Sequence, residues 1–254
     1  MSRVSTLQSS DVTNGAGVCL NAAPYQRGPM HVAVEVLRFA VEGMPAMLAQ
    51  RRNTTVASTQ LPLSPIPGLR TVELTAELAP RLQRFFEDNP EYFIAVNGEP
   101  AGPNAAHETI HREPPPGWSF AKKWLIGYVD TTNSDSLVAI ADVITDLLAP
   151  GVWHVGLFIL ATERHGSGEA QIIMDGLESW AIVNGAKWLR LGVVQGNARA
   201  ERFWESLGFQ DARIREGVEM GRRKTSMRIM FKPLAGGTRK QYLSLIDRDR
   251  PEAA

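Results

Sequence analysis

Apolar residues in the second half of the chain follow two periods, and the points where one gives way to the other mark the elements. Lys122 to Asp130 (KKWLIGYVD) and Ser136 to Ile144 (SLVAIADVI) are apolar runs of strand length on either side of a polar Thr-Thr-Asn-Ser-Asp turn, which predicts an antiparallel hairpin. Pro150 and Gly151 punctuate, and a third strand-like run, VWHVGLFIL, ends at Leu160. After a short loop with two glycines the period lengthens. Ala170, Ile173, Leu177 and Trp180 recur at i, i+3, i+7 and i+10, the pattern of a helix with one face on a sheet, and Asn184-Gly185 ends it as an αL cap would. Leu189, Leu191 and Val193 alternate with Trp188, Arg190 and Gly192, which predicts a half-buried strand. A second helix starts at Asn197, carries Ala200, Phe203 and Leu207 on one face and closes at Gly208. FQDARIRE and MRIMFKPL predict two final strands joined by a basic turn from Gly221 to Lys224.

Upstream, TVELTAELAPRLQRFFEDNPEYFIAV opens as a strand at Thr71 and continues as a helix bearing Leu78, Leu82, Phe85 and Phe86, with Pro90 near its end. Asn97 to Pro103 is a turn cluster, and His107 to Pro116 ends in three prolines. In the first 67 residues, Val34, Leu37, Val41, Met44 and Leu48 recur at helical spacing, with Pro45 placed to break or kink the helix. Met1 to Val18 is small and polar, without a secretory pattern, and Asn53 to Pro67 reads as a proline-marked linker. The expected organisation is a partly disordered extension and linker over 1–67, one domain over 68–234, and a peripheral tail over 235–254.

Composition narrows the class. A chain of 254 residues, 44% hydrophobic and 21% charged, can bury a sizeable core. Its 27 basic residues equal its 27 acidic ones, which gives no reason to expect nucleic acid or an anionic membrane as partner. No apolar run approaches a membrane span. The single cysteine, Cys19, excludes an intramolecular disulfide framework and fits a reducing, cytoplasmic compartment. A homodimer is left open.

Candidate chemistry centres on the glycine loop. A strand that feeds through Gly166 and Gly168 into a helix start presents outward N–H groups with the positive end of a helix dipole behind them, which makes an anion site. A P-loop would need a Lys that GSGEAQ lacks; a dinucleotide fingerprint would need a third glycine at Gln171 and an acidic residue near Trp188 to Arg190. The pyrophosphate of coenzyme A remains. His165, Gly166, Ser167, Gly168, Glu169 and Ala170 resemble the Gln/Arg-x-x-Gly-x-Gly/Ala acyl-CoA signature of the GCN5-related N-acetyltransferases, with His165 at the Gln/Arg position. NARAERFWESLGF, Asn197 to Phe209, resembles that family's second signature, Asn-x-x-Ala-x-x-Phe-Tyr-x-x-x-Gly-Phe. The resemblance is firm from Trp153 to Phe209 and looser from Leu69 to Leu234.

The resemblance implies an α/β (α+β) fold with a mixed, mostly antiparallel central sheet flanked by helices, behind an N-terminal extension. It implies acetyl-CoA as acyl donor, held by backbone N–H groups of His165 to Ala170, with the strand end Leu160, Ala161 and Thr162 along the pantetheine arm. Asn197 and Phe203 of the second motif join that site, and Asn197 also suits a helix N-cap. Trp204 stands where many relatives carry a Tyr that protonates the departing thiolate, and indole has no acid of useful pKa, so the role does not transfer. Glu91, Tyr92 and Phe93 fit either the acceptor side or plain core packing. Arg222, Arg223 and Lys224 fit either a solvated turn or the neighbourhood of a coenzyme phosphate.

A base is needed because an aliphatic amine, with a pKa of about 10, must lose a proton before it can attack. Asp142 is the first candidate: in VAIADVI its period-two neighbours Val138, Ile140 and Ile144 are aliphatic, so its carboxyl has a raised pKa or a specific partner, unless it is a salt-bridged structural acid. His154 is the second. Glu163 and Glu169 lie too close to the phosphate loop, and His107 and His111 lack a third ligand, so no metal is inferred. The reading reached is an acetyl-CoA-dependent N-acetyltransferase acting on a primary amine of a small molecule or peptide. A non-catalytic acyl-CoA-binding module on the same fold is the alternative, and a nucleotide-dependent enzyme is third.

Overall fold

The structure is a computed structural model that describes residues 60–251. Cys19, the helical pattern of 31–52 and most of the linker therefore lie outside the described residues.

A seven-stranded sheet organises the chain in the order β1-β2-β3-β4-β5-β7-β6. Its strands are β1 (Leu69–Glu73), β2 (Lys122–Asp130), β3 (Ser136–Thr145), β4 (Val152–Leu160), β5 (Trp188–Val194), β6 (Gln210–Met220) and β7 (Arg223–Pro233). The helices are α1 (Ala79–Asp88), α2 (Glu91–Asn97), α3 (Ala105–His111), α4 (Glu169–Val183), α5 (Ala198–Ser206) and α6 (Arg239–Leu245). Every neighbouring pair is antiparallel except β4 with β5, so the expected mixed, mostly antiparallel sheet is what forms. The single parallel pair follows from α4, the crossover that carries the chain from the end of β4 back to the start of β5.

Two apolar layers cover the sheet. One side packs α4 and α5 through Ile173, Met174, Leu177, Ala200 and Trp204 against Trp124, Ile126, Phe158 and Leu191. The other packs α1 to α3 and α6 through Leu82, Phe86, Phe93 and Tyr242 against Leu125, Ile140, Leu157 and Phe231. With both faces covered, β4 and β5 are buried at every position, Arg190 included. The half-buried strand expected from the alternation in β5 is thus fully buried, because a C-terminal element the pattern did not reveal covers its other face.

That element corrects a second expectation. Residues 235–251 are not a peripheral tail: Tyr242, Ile246 and Asp249 are essentially inaccessible. Thr238 caps α6 with a reciprocal Gln241 capping box, and the segment docks through Asp249 onto Arg190. At the other end of the described chain, Gln60 accepts a hydrogen bond from the Trp180 indole, while Leu61 and Ile66 pack on the α4 layer, so the end of the expected linker lies against the domain.

Two irregularities shape the centre. The β2–β3 register passes from Tyr128↔Ala139 to Val129↔Leu137, leaving Val138 unmatched. This bulge turns Val138 to the α4 side, while Ile140 and Ile144, the latter paired with Lys123, keep the face of Asp142 that the period-two reading expected. In the β3–β4 ladder the register passes from Asp142↔Leu157 to Val143↔Val155, leaving Gly156 unmatched beside the partner of the acid.

Candidate active site

The glycine loop begins where β4 and β5 part. Their parallel pairing covers only Val152–Val155 with Trp188–Leu191, although β4 runs on to Leu160 and β5 to Val194. Past the end of β4 the chain makes a short 3-10 turn, Thr162–Arg164, and enters α4 through Gly166 at φ 82° and Gly168 at φ 85°. A side chain at either glycine would meet nothing within 4 Å, so the positive φ, not crowding, is what requires glycine, and the backbone is open to an approaching group. Ser167 fixes the turn: its hydroxyl donates to the Arg164 carbonyl at 2.7 Å and accepts from the Glu169 N–H at 3.2 Å. The N–H groups of Gly166, Gly168 and Ala170 have no acceptor among the described residues, as befits a helix start.

Other expected donor residues are spoken for within the protein. The Ala161 N–H donates to the Val138 carbonyl at 2.8 Å, and the Thr162 N–H donates to Asn89 Oδ1 at 2.7 Å, while the Thr162 hydroxyl donates to Glu91 at 2.7 Å. These bonds lock the end of β4 to the α1–α2 junction. His165 Nε2 lies 3.0 Å from the Leu160 carbonyl oxygen, and burial, then the charge of Arg199, lowers its pKa, so the ring is a neutral Nε2–H donor. Glu169 is held by Arg164, which also pairs with Asp130 at the end of β2. That clamp takes the carboxylate's charge away from the loop.

Asn197 N-caps α5, its side chain accepting from the Ala200 N–H at 3.2 Å. Phe203 stacks on Phe158 of β4 with ring centroids 6.2 Å apart. Trp204 is fully buried against Phe158, Phe203 and Phe209, and its indole N–H has no acceptor among the described residues. It fills the core under α5.

On the opposite face of the sheet lies a cavity of about 400 Å³. Its floor is Asp142 with Gly156 and Leu157; Tyr92 and Phe93 of α2, and Thr109 and Arg112 around α3, make its walls. The tip of the β6–β7 hairpin closes the remaining side, because Arg222 pairs with Glu99 at 2.6 Å and Arg223 donates to the Ala95 carbonyl at 2.8 Å. These basic turn residues therefore bind α2 and its loop, not the glycine loop. The aromatics after α1 turn out to line the cavity and pack in the core at once.

Asp142 is 6% exposed. Its Oδ2 lies 3.5 Å from Lys123 Nζ, and its Oδ1 has no hydrogen-bond partner among the described residues. Lys123 spends its protons elsewhere, donating to the carbonyls of Thr109 at 2.6 Å and Arg112 at 2.8 Å at the end of α3. Burial pushes the Asp142 carboxyl up to about 6 against the pull of Lys123 and Arg112. A carboxylate so placed is charged at neutral pH, yet basic enough to take a proton. Sequence reading missed Lys123, although the hairpin register makes it legible: Lys123 pairs with Ile144 and Leu125 with Asp142, so lysine and acid are diagonal neighbours on one face.

His154 is placed differently. It is 3% exposed, 3.3 Å from Arg190 Nη1, and outside the cavity lining. Burial, then the charge of Arg190, lowers its pKa to about 3, which leaves it neutral and a weak base. His107 and His111 stack on each other at 4.1 Å, and among the described residues no group of three His, Cys, Asp or Glu side chains is placed to hold a metal. No helix among them is long and apolar enough to cross a membrane.

Comparison with known proteins defines the class. A model of the acetyltransferase (GNAT) family matches residues 73–209, more than half of the chain. The chain belongs to that family, whose general reaction is acetyl transfer. Among solved structures, the ribosomal-protein-S18-alanine N-acetyltransferase from Escherichia coli superposes with a TM-score of 0.50 at 15% identity, over 67% of this chain and 96% of that one. The spermidine N-acetyltransferase from Vibrio cholerae, in complex with CoA and spermine, gives 0.51 at 14% identity, over 66% and 96%. At such identities the likeness is one of fold. No curated protein matches the chain by sequence.

Proposed function

We propose that the chain is an acetyl-CoA-dependent N-acetyltransferase that acetylates a primary amine of a small molecule or peptide, with Asp142 as general base. The observation that carries the reading is the unpartnered Asp142 oxygen on the floor of the cavity, facing the β4 bulge at Gly156. The cavity sits on one face of the sheet and the glycine loop leads to a helix on the other, so the opening between β4 and β5 is where amine and donor meet.

The loop fits the coenzyme: free N–H groups at Gly166, Gly168 and Ala170, no side chain in the way, and the start of a 15-residue helix behind them. Acetyl-CoA, when bound, supplies the acetyl thioester. The loop from His165 through Ser167 to Glu169 would cradle its pyrophosphate, Leu160 to Thr162 would border its arm, and Asn197 and Phe203 would flank it from α5. Asp142 accepts the proton of the incoming ammonium and so delivers a neutral amine. Trp204 offers no acid, so water or another residue protonates the departing sulfur, or it leaves as the thiolate. His154, neutral and held at Arg190, keeps a positioning role in β4 at most.

The acceptor panel should include diamines and polyamines as well as peptide N-termini, since the V. cholerae relative was solved with spermine. Thiol release from acetyl-CoA is followed over the panel with wild type and Asp142→Asn. Amine-dependent release that collapses in the variant is expected. Tight acetyl-CoA binding without turnover on any amine would favour the non-catalytic module.

A further inference from the structure

On the α6 side of the sheet, outside the lining of the cavity, the charges of one region do not balance. Arg213 and Arg215 of β6 pair with Ile229 and Met227 of β7, which belong to the layer under α1 to α3 and α6, so both point to that face. Arg248, from the turn after α6, joins them: Arg213 Nη1 donates to the Arg248 carbonyl at 2.9 Å. The Arg248 guanidinium lies 3.8 Å over the ring of Trp118, and buried Arg190 approaches the same ring at 5.8 Å.

Among the described residues one carboxylate serves this cluster, and both its oxygens are engaged. Asp249 takes two hydrogen bonds of 2.8 Å from Arg190 and one of 2.5 Å from the Tyr242 hydroxyl. The Nε atoms of Arg213 and Arg248 are buried without an acceptor, and Arg215 has no hydrogen bond or ion pair among the described residues. Burial and then the neighbouring arginines lower the pKa of Arg215, and bring that of Arg248 down to about 10. Three half-buried guanidiniums that share a single carboxylate with Arg190, and make no hydrogen bond to it, repel one another in a medium of reduced dielectric, and forked N–H donors of this kind are matched by oxyanions.

We propose that Arg213, Arg215 and Arg248, with Trp118 behind them, form a binding site for a small oxyanion of the phosphate or carboxylate class. The site is separate from the glycine loop, whose helix α4 covers the opposite face. Its three arginines come from β6 and the C-terminal segment, beyond the residues the family model matches, while Trp118 lies within them. The anion is either free in solution or a group carried by the acceptor.

Melting of the full chain, saturated with CoA so that the glycine loop is occupied, is compared in sodium phosphate and in sodium chloride at equal ionic strength. Phosphate is expected to raise the melting temperature by about 3 °C or more over chloride. Arg215→Gln is expected to abolish that gain and to melt above wild type in chloride, since it removes an unmatched charge and no bond. Arg248→Gln, which gives up the stacking on Trp118, serves as the second variant and is expected to lose the gain as well. Absence of a phosphate gain, or a gain undiminished in both variants, overturns the proposal. Acetylation kinetics then assign the source: a tenfold rise in KM confined to carboxylate-bearing acceptors in Arg215→Gln marks the acceptor's own group, and unchanged KM with the phosphate gain lost marks a free anion. The kinetic arm rests on the acetyltransferase reading, but the melting arms need no turnover, so their failure leaves that reading standing.

Discussion

Two buried aspartates lie on the same side of the sheet, and their surroundings drive them in opposite directions. Asp249 is inaccessible; burial pushes its pKa up, and the charge and paired hydrogen bonds of Arg190, with the Tyr242 hydroxyl, more than reverse the shift. Asp142 is almost as buried but has one lysine at 3.5 Å and one oxygen with no partner, and its pKa rises to about 6. Burial alone therefore assigns no role. A carboxylate with both oxygens hydrogen-bonded holds the fold together, and one with an oxygen left unpartnered at the floor of a cavity is poised to exchange a proton.

The largest effect expected from breaking this contrast is on rate. Asp142→Asn should lower kcat/KM for the acceptor by about 10²–10⁴, the range for loss of a general base, measured by thiol release. The wild-type profile should fall as pH drops through about 6, because the base must be ionised to act, and the variant should lose that limb. Stability should move the other way. A folded-state pKa above the unfolded 3.8 means the group's contribution is present below that value and lost as pH rises through about 6. The shift corresponds to roughly 3 kcal/mol against the ionised form, so chemical denaturation at pH 8 should find Asp142→Asn no less stable than wild type.

Asp249→Asn should do the reverse. It leaves Arg190 buried without its counter-charge, at a cost of about 3–5 kcal/mol by denaturant titration, while residual folded protein keeps its kcat. An equal loss of kcat in both variants would erase the distinction between the two acids. On the donor side, Gly168→Val forces a β-branched residue to φ 85°, which should cost about 1–2 kcal/mol and weaken CoA binding in calorimetry, with KM for the amine unchanged. Smallest of all, Asn197→Ala removes the α5 cap and should cost about 1 kcal/mol.

Much of the fold was legible along the chain because its signals are local. The β2–β3 hairpin, β4, the glycine loop, α4 and α5 each announce themselves by period, turn residues and caps within about twenty residues. The site was legible only in part. Asp142 stood out as an acid among aliphatics, but the bulges at Val138 and Gly156, which set what it faces, are register shifts between strands and leave no periodic trace. Asp142 and His154 looked alike as polar residues in apolar strands; one opens onto a cavity and the other onto Arg190.

What the amino-acid sequence determined by itself is the set of elements, their order, and the two motifs that place the chain in its family, since those depend on neighbours in the chain. Tertiary structure alone decided which polar groups find partners. Arg190 and Asp249 are 59 residues apart, and Arg164 and Asp130 are 34 apart. The cavity joins α2, α3, β3, β4 and the β6–β7 tip. A side chain's charge is set by what surrounds it in space, at distances of a few ångströms that no spacing along the chain encodes.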